Sequence, residues 1–467
     1  MNTLSLSIFT VVSTLVISSS VSVMPASAQT ANQQGMNNLF KAVQRDGKSD
    51  QFSPQQNQNN QPVQISPGQL APNQLPPKTK IIPKNFVQNS GPAGKSIKAK
   101  IGQMVMVGFR GTTPNHRGVK AVMQELREGS IGGVMLMKHN VISIRQVRTL
   151  TTALRQAARA GGQMPPFISV DQEGGRVQRL KFNRYPSAIK IARSSQKNAA
   201  RVYGKLACEV RSAGINVNFG PVVDVDIQGR ANPIIGRMGR SYSQNPQTVA
   251  KYARQFILAH KRYGLMTAAK HFPGHGSSLS DSHKGFTAIP QWNRGTELAP
   301  FKQLASGGQA KSVDMVMVGH LFNRSWGAPA SLSHRAIAGM LRKQVGFKGV
   351  AITDDMEMGA IRKNYKWSTA VKLAVNAGND VLLYSNTAKY TPFLGRKIRD
   401  TIARSICSAS NTSKSCVPAR AIANAYNRIK QLKHNARRNN AYRNAGRCTS
   451  DQTRNVRAIS KRKALVR

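Results

Sequence analysis

The chain has 467 residues, 40% of them apolar, with 69 Lys and Arg against 18 Asp and Glu, a formal net charge of +51. The apolar fraction excludes a wholly disordered polymer, and the length accommodates one large domain or two medium ones. The charge excludes a surface indifferent to anions; unless basicity is a general bias of the source proteome, the candidate partners are nucleic acid, anionic cell-envelope polymers and acidic glycans.

Leu4 to Val23 is an uncharged run of apolar and small residues, followed by Pro25-Ala26-Ser27-Ala28, which has the A-x-A form of a cleavage site. This predicts a signal peptide over 1–28 and an exported chain, periplasmic or secreted. The run lacks an N-terminal Lys or Arg, so an uncleaved membrane anchor is the alternative. Export removes genomic nucleic acid from the expected partners. Residues 29–94, with stretches such as QFSPQQNQNNQPVQISPGQLAPNQLPP, offer too little apolar surface to offset the entropy of ordering and predict a disordered linker. The folded domain is expected over 95–431. The tail, 432–467, carries eleven Lys or Arg and a single acid, Asp451, and predicts a flexible basic arm with room for a short helix. Cys407 and Cys416 flank a polar loop that a disulfide could close. Cys208, in KLACEVRSAG, reads as a buried thiol, and Cys448 lies in the tail.

Within 95–431, short apolar runs alternate with longer amphipathic patterns. The runs are QMVMVGF, GGVMLM, FISVD, VNFGPVVD, MTAAKH, MVMVGH, GVAITD and DVLLYSN; between them lie helical stretches such as RQVRTLTTALRQAARA, NPQTVAKYARQFILAHKRYG and STAVKLAVNAG. Eight strands joined through helices predict an α/β fold, a closed TIM-like (β/α)8 barrel in one domain, with a doubly wound open sheet as the alternative. Several runs end in residues capable of chemistry: Asp171, Asp224, Lys270 with His271, His320 and Asp354. In a parallel barrel all these ends point to one face, where active sites form.

Acids are scarce, yet eight of the eighteen fall in four segments: VDQEGGRVQRL, VVDVD, SDSH and ITDDMEM. Isolated carboxylates near Arg are most often structural ion pairs, but Asp354 directly follows an apolar strand. The stretch KHFPGHGSSLSDSH, residues 270–283, places His271 and His275 four apart, the spacing of a helical metal site. Pro273 and Gly274 between them break the helix such a site needs, so no metal is expected. Asp281 and His283 instead form a carboxylate–imidazole pair suited to proton transfer.

VDQEGGRVQR, KHFPGHG followed by DSH, and GVAITDDMEMGAI, together with IGQMVMVGFRG, IGGVMLMKHNV, VNFGPVVDVD, NPIIGRMGRSYS, PASLSH and AGNDVLLYSN, resemble glycoside hydrolase family 3, in its bacterial β-N-acetylhexosaminidase branch of single-domain type. The resemblance spans about Ile101 to Ala425. It implies a TIM-like barrel, no cofactor, and a retaining exo-glycosidase that releases terminal β-linked N-acetylglucosamine from cell-wall fragments or related oligosaccharides. It implies Asp354 as nucleophile, with Asp355 in support, and His283 with Asp281 as the acid/base pair. It implies Asp171, Arg179, Arg240, Lys270 and His271 as residues that grip the sugar. NPIIGRMGRSYS is two residues longer than the usual form, which leaves Arg237 as a rival to Arg240, and Ala351 is smaller than the signature prefers. A monomer is expected, with an oligosaccharide substrate and anionic envelope polymers as partners. A phosphorylase on the same scaffold, or an envelope-binding protein with an inactive barrel, are the other readings.

Overall fold

The computed structural model describes residues 96–306, 312–408, 415–438 and 448. The signal peptide and linker expected over 1–94 and most of the tail beyond 438 lie outside these residues.

The described residues form twelve strands: β1 Val105–Gly108, β2 Gly133–Leu136, β3 Phe167–Val170, β4 Gln172–Gly174, β5 Val177–Gln178, β6 Val217–Asn218, β7 Met266–Phe272, β8 Thr287–Ala288, β9 Met315–Val318, β10 Leu321–Phe322, β11 Val350–Thr353 and β12 Leu382–Tyr384. Eight of them form one parallel sheet in the order β11-β9-β7-β6-β3-β2-β1-β12. A parallel bridge between Ile352 and Val381 joins its two ends, so the ring closes as a TIM-like barrel. The eight correspond one for one to the apolar runs of the sequence. Their Met-rich segments are core: Met104, Met106 and Met315 are fully buried. The run VNFGPVVD is the least regular. Only Val217–Asn218 pairs as a strand, and after Pro221 the chain rejoins the barrel through a bridge from Val222 to Lys270, since proline has no N–H to give a ladder.

The helices form where the periodicity places them. Ile144–Ala160 begins at Ser143, whose hydroxyl accepts from Gln146 N, and buries Val147, Leu150, Leu154 and Ala158 along one stripe. Pro246–Arg262 starts with Pro at its first position behind the cap Asn245, and buries Val249, Ala253, Phe256 and Ile257.

One expectation is extended and one corrected. The helix Ala419–Arg438 continues seven residues past 431, into the tail that has room for a short helix. Its inner stripe of Ile422, Ala425, Ile429 and Ala436 is buried, and Lys433, also buried, donates to Gln103 Oε1 at 2.8 Å and Gly132 O at 2.9 Å. Most of that stripe lies upstream of 432, so the tail alone shows no period. Cys208 is not a free thiol but is bonded to Cys448, while Cys407 and Cys416 close their loop as expected.

Candidate active site

The carboxyl end of β3 delivers Asp171, and the hairpin β4–β5 behind it returns Arg179 to the same place. The turn between the two strands needs glycine, because Gly174 and Gly175 stand at φ +100° and +61°. Arg179 Nη2 lies 3.4 Å from Asp171 Oδ2. Two strands along the barrel, Lys270 near the end of β7 is buried and donates to Asp171 Oδ1 and reaches Glu173 Oε1, both at 2.7 Å. Arg240 is also buried; its Nε and Nη2 grip Glu173 at 2.9 and 2.8 Å in a bidentate pair. Burial opposes ionisation of Glu173, but the adjacent Arg240 and Lys270 charges outweigh it and hold the carboxyl well below its usual range. Asp171, Arg179, Lys270, Glu173 and Arg240 thus form one continuous charge network.

The two arginines left open by the sequence are placed differently. Arg240 Nη2 faces His271 Nε2 at 3.4 Å, whereas Arg237 points Nε at Arg230 O. His271 is oriented from behind by Asp224, which is fully buried: its Oδ2 accepts a hydrogen bond from Nδ1 at 2.7 Å, and its Oδ1 accepts the backbone N–H of His271 at 3.0 Å and of His275 at 2.8 Å. With the Nδ1 proton committed to Asp224, Nε2 is left to face the site. The rings of His271 and His275 stand edge to face, 5.7 Å between centroids. Burial pushes the His275 pKa down to about 4, with His271 adding to the effect, so this ring is neutral.

Asp354 follows β11, half-buried, its Oδ1 accepting from Asp355 N at 2.8 Å. Burial would raise its pKa. His271, His320, His283 and the Asp355 amide outweigh that and hold it at about 2, an ionised carboxylate at neutral pH. Asp355 behaves differently: burial pushes it up to about 6, while it accepts from Glu357 N and Ser385 N and so braces the turn. His320 is held between Ser331 Oγ at 2.7 Å and Asp355 O at 2.9 Å, and burial favours its neutral form.

Asp281 and His283 lie on the long connection between β7 and β8. Asp281 Oδ1 accepts from His283 Nδ1 at 2.7 Å and from His283 N at 2.9 Å, leaving Nε2 of a 63% exposed side chain to reach outward. Gly359 N donates to His283 O at 3.1 Å and Ala360 N to Ser282 O at 3.2 Å, so the pair stands against the turn that follows β11 and the nucleophile candidate.

Asp171, Arg179, Lys270, Arg240 and His271 therefore meet in one cluster, and Asp281 and His283 dock against the turn that follows Asp354. Residues 96–432 match the family model described as the glycosyl hydrolase family 3 N terminal domain. The chain belongs to this family. It is 34% identical over 296 residues to a protein named beta-hexosaminidase from Stenotrophomonas maltophilia, covering 60% of this chain and 82% of that one. It is 33% identical over 277 residues to beta-hexosaminidase A from Pseudoalteromonas piscicida, covering 54% of this chain; the match spans only 45% of that longer relative. Among solved structures, a glycoside hydrolase family 3 beta-N-acetylglucosaminidase from a Paenibacillus species superposes with a TM-score of 0.65 at 30% identity, covering 74% of this chain and 63% of that one.

Two partners within the cluster are not legible in the sequence. Glu173 was visible as a rare acid, but its role depends on Arg240, 67 positions away. Asp224 was visible as a strand end, without its histidine.

Proposed function

We propose that this chain is a retaining exo-acting glycosidase that removes terminal β-linked N-acetylglucosamine. The observation that carries the reading is the convergence of an ionised Asp354 with a paired Asp281–His283 at one barrel face. The names of the relatives support the sugar class.

Asp354 attacks the anomeric carbon as the glycosidic C–O bond breaks, and the His283 Nε2 proton passes to the departing oxygen. Water then attacks the glycosyl-aspartate, giving its proton back to His283 Nε2 and freeing Asp354. Asp281 keeps the imidazole oriented and stabilises its charged form. Histidine suits both directions, since its ordinary pKa of about 6.5 allows it to give and take a proton near neutrality. Asp171, Arg179, Lys270, Arg240 and His271 hold the sugar hydroxyls in a preorganised frame.

We propose further that the chain works outside the cytoplasm on wall-derived or related oligosaccharides. The run of residues 4–28 and the charge of +51 support this reading, the charge by holding the enzyme near anionic envelope polymers. Moderate salt should release it from envelopes; retention in salt would sink electrostatic tethering.

The test is hydrolysis of 4-nitrophenyl N-acetyl-β-glucosaminide with and without phosphate. Wild type should release free sugar, and Asp354→Asn should lose about 10³-fold or more in kcat. Full activity in Asp354→Asn would refute the nucleophile, and sugar 1-phosphate as the product would make the enzyme a phosphorylase.

A further inference from the structure

The segment 273–286, which carries Asp281 and His283, has no helix or strand of its own and must be held from outside. At its stem stands Glu297, in the first turn of the helix Arg294–Ala305 and 1% exposed. Glu297 Oε2 accepts from Gly276 N at 3.0 Å, and Oε1 accepts from the Ser277 hydroxyl. The stem is pressed against this side chain: Gly274 has φ +127°, and a Cβ there would lie 2.5 Å from Glu297 Oε2. Burial pushes the Glu297 pKa up to about 7, and the hydrogen bonds from Ser277 and the Gly276 amide pull it back.

At its tip the segment docks onto the chain that follows the nucleophile strand. Gly359 N donates to His283 O at 3.1 Å and Ala360 N donates to Ser282 O at 3.2 Å. Gly359 is not among the glycines with positive φ, so its backbone conformation does not demand glycine. Close approach does: a Cβ at Gly359 would lie 2.7 Å from His283 O and from the Lys284 carbonyl atoms, which are backbone and cannot swing away. Gly359 is five residues beyond Asp354 on the same strand-to-helix turn. The seat for the proton donor is therefore built on the element that carries the nucleophile.

We propose that Glu297 and the Gly359–Ala360 amides form a two-point clamp that sets His283 against Asp354. Glu297 and Gly359 are positioning residues: they act on proton transfer through the loop. The proposal rests on the reading of Asp281–His283 as the acid/base pair.

A displaced His283 matters most when the leaving oxygen must be protonated, so substrates with different leaving groups separate its effect from general damage. Gly359→Ala should lower kcat/KM on N,N′-diacetylchitobiose at least ~10-fold, while changing kcat/KM on the dinitrophenyl glycoside of N-acetylglucosamine less than ~2-fold. Glu297→Gln, nearly the same shape, should show the same split at smaller size. It carries the test by itself if Gly359→Ala fails to fold. Equal losses on both substrates, or no loss on either, would overturn the clamp. His283→Ala run alongside tells the two failures apart. If it shows the split and the clamp variants do not, only the clamp is wrong; if it shows none, the acid/base reading falls and the clamp with it.

Discussion

Lys270 near the end of β7 and Arg240 on the connection after β6 are buried, each meeting a carboxylate within 2.9 Å, whereas His283 sits on the connection after β7 with its side chain 63% exposed and one carboxylate behind it. The cluster proposed to hold the sugar is organised by paired charges between buried or half-buried side chains. The loop proposed to move protons is organised by two backbone amides and one buried acid beneath it. The difference follows from the tasks. Gripping a neutral sugar benefits from fixed, fully paired dipoles that need no rearrangement. Exchanging protons with a departing sugar and then with water requires a ring that solvent can reach.

The comparison can be broken most severely at Glu173. Glu173→Gln leaves Arg240 without its bidentate partner and Lys270 with Asp171 alone. A loss of about 3–5 kcal/mol in stability is expected from buried charge left uncompensated. Urea unfolding would read it, and an unchanged midpoint would mean that the network is not organised by charge. His283→Ala should do the reverse: about 10²–10⁴-fold lower kcat on substrates with poor leaving groups, with the melting temperature unmoved. A large drop in melting temperature would show that the loop is structural.

The smallest effect sharpens the contrast at a carboxyl with no ion-pair partner among the described residues. Glu209 backs the segment after β5, accepting from Tyr185 Oη at 3.1 Å and from Asn183, with its Oε1 unpartnered. Burial pushes its pKa up to about 7, against an ordinary value of 4.5. Its folded pKa is raised, so its contribution to stability is complete below about pH 4.5 and is lost as pH rises through about 7. Glu209→Gln is neutral throughout. The melting temperature of the variant minus that of wild type should therefore increase between pH 5 and pH 8, and a flat difference would contradict the raised pKa.

The barrel was legible because each strand is a continuous apolar run bounded by an amphipathic helix, a pattern set by local periodicity. Asp171, Lys270, His271 and Asp354 were legible because a parallel barrel carries the polar residue that ends such a run to the mouth where the strands' carboxyl ends gather. The helix through Arg438 was not, since its apolar stripe straddles an apparent composition boundary. The bond from Cys208 to Cys448 was not, because 240 residues separate its ends.

By itself, then, the sequence determined the number and order of strands, the face on which chemistry gathers, and the Asp-x-His pair, all properties carried by residues close together in the chain. Tertiary structure alone decided that Arg240 and not Arg237 meets Glu173 and His271, that Glu173 joins Lys270 to Arg240, and that Glu297 and the Gly359 amide contact the segment carrying Asp281 and His283. These are contacts between distant segments. Whether two charges or a carbonyl and an amide come within about 3 Å depends on how whole elements pack, and no local pattern encodes that distance.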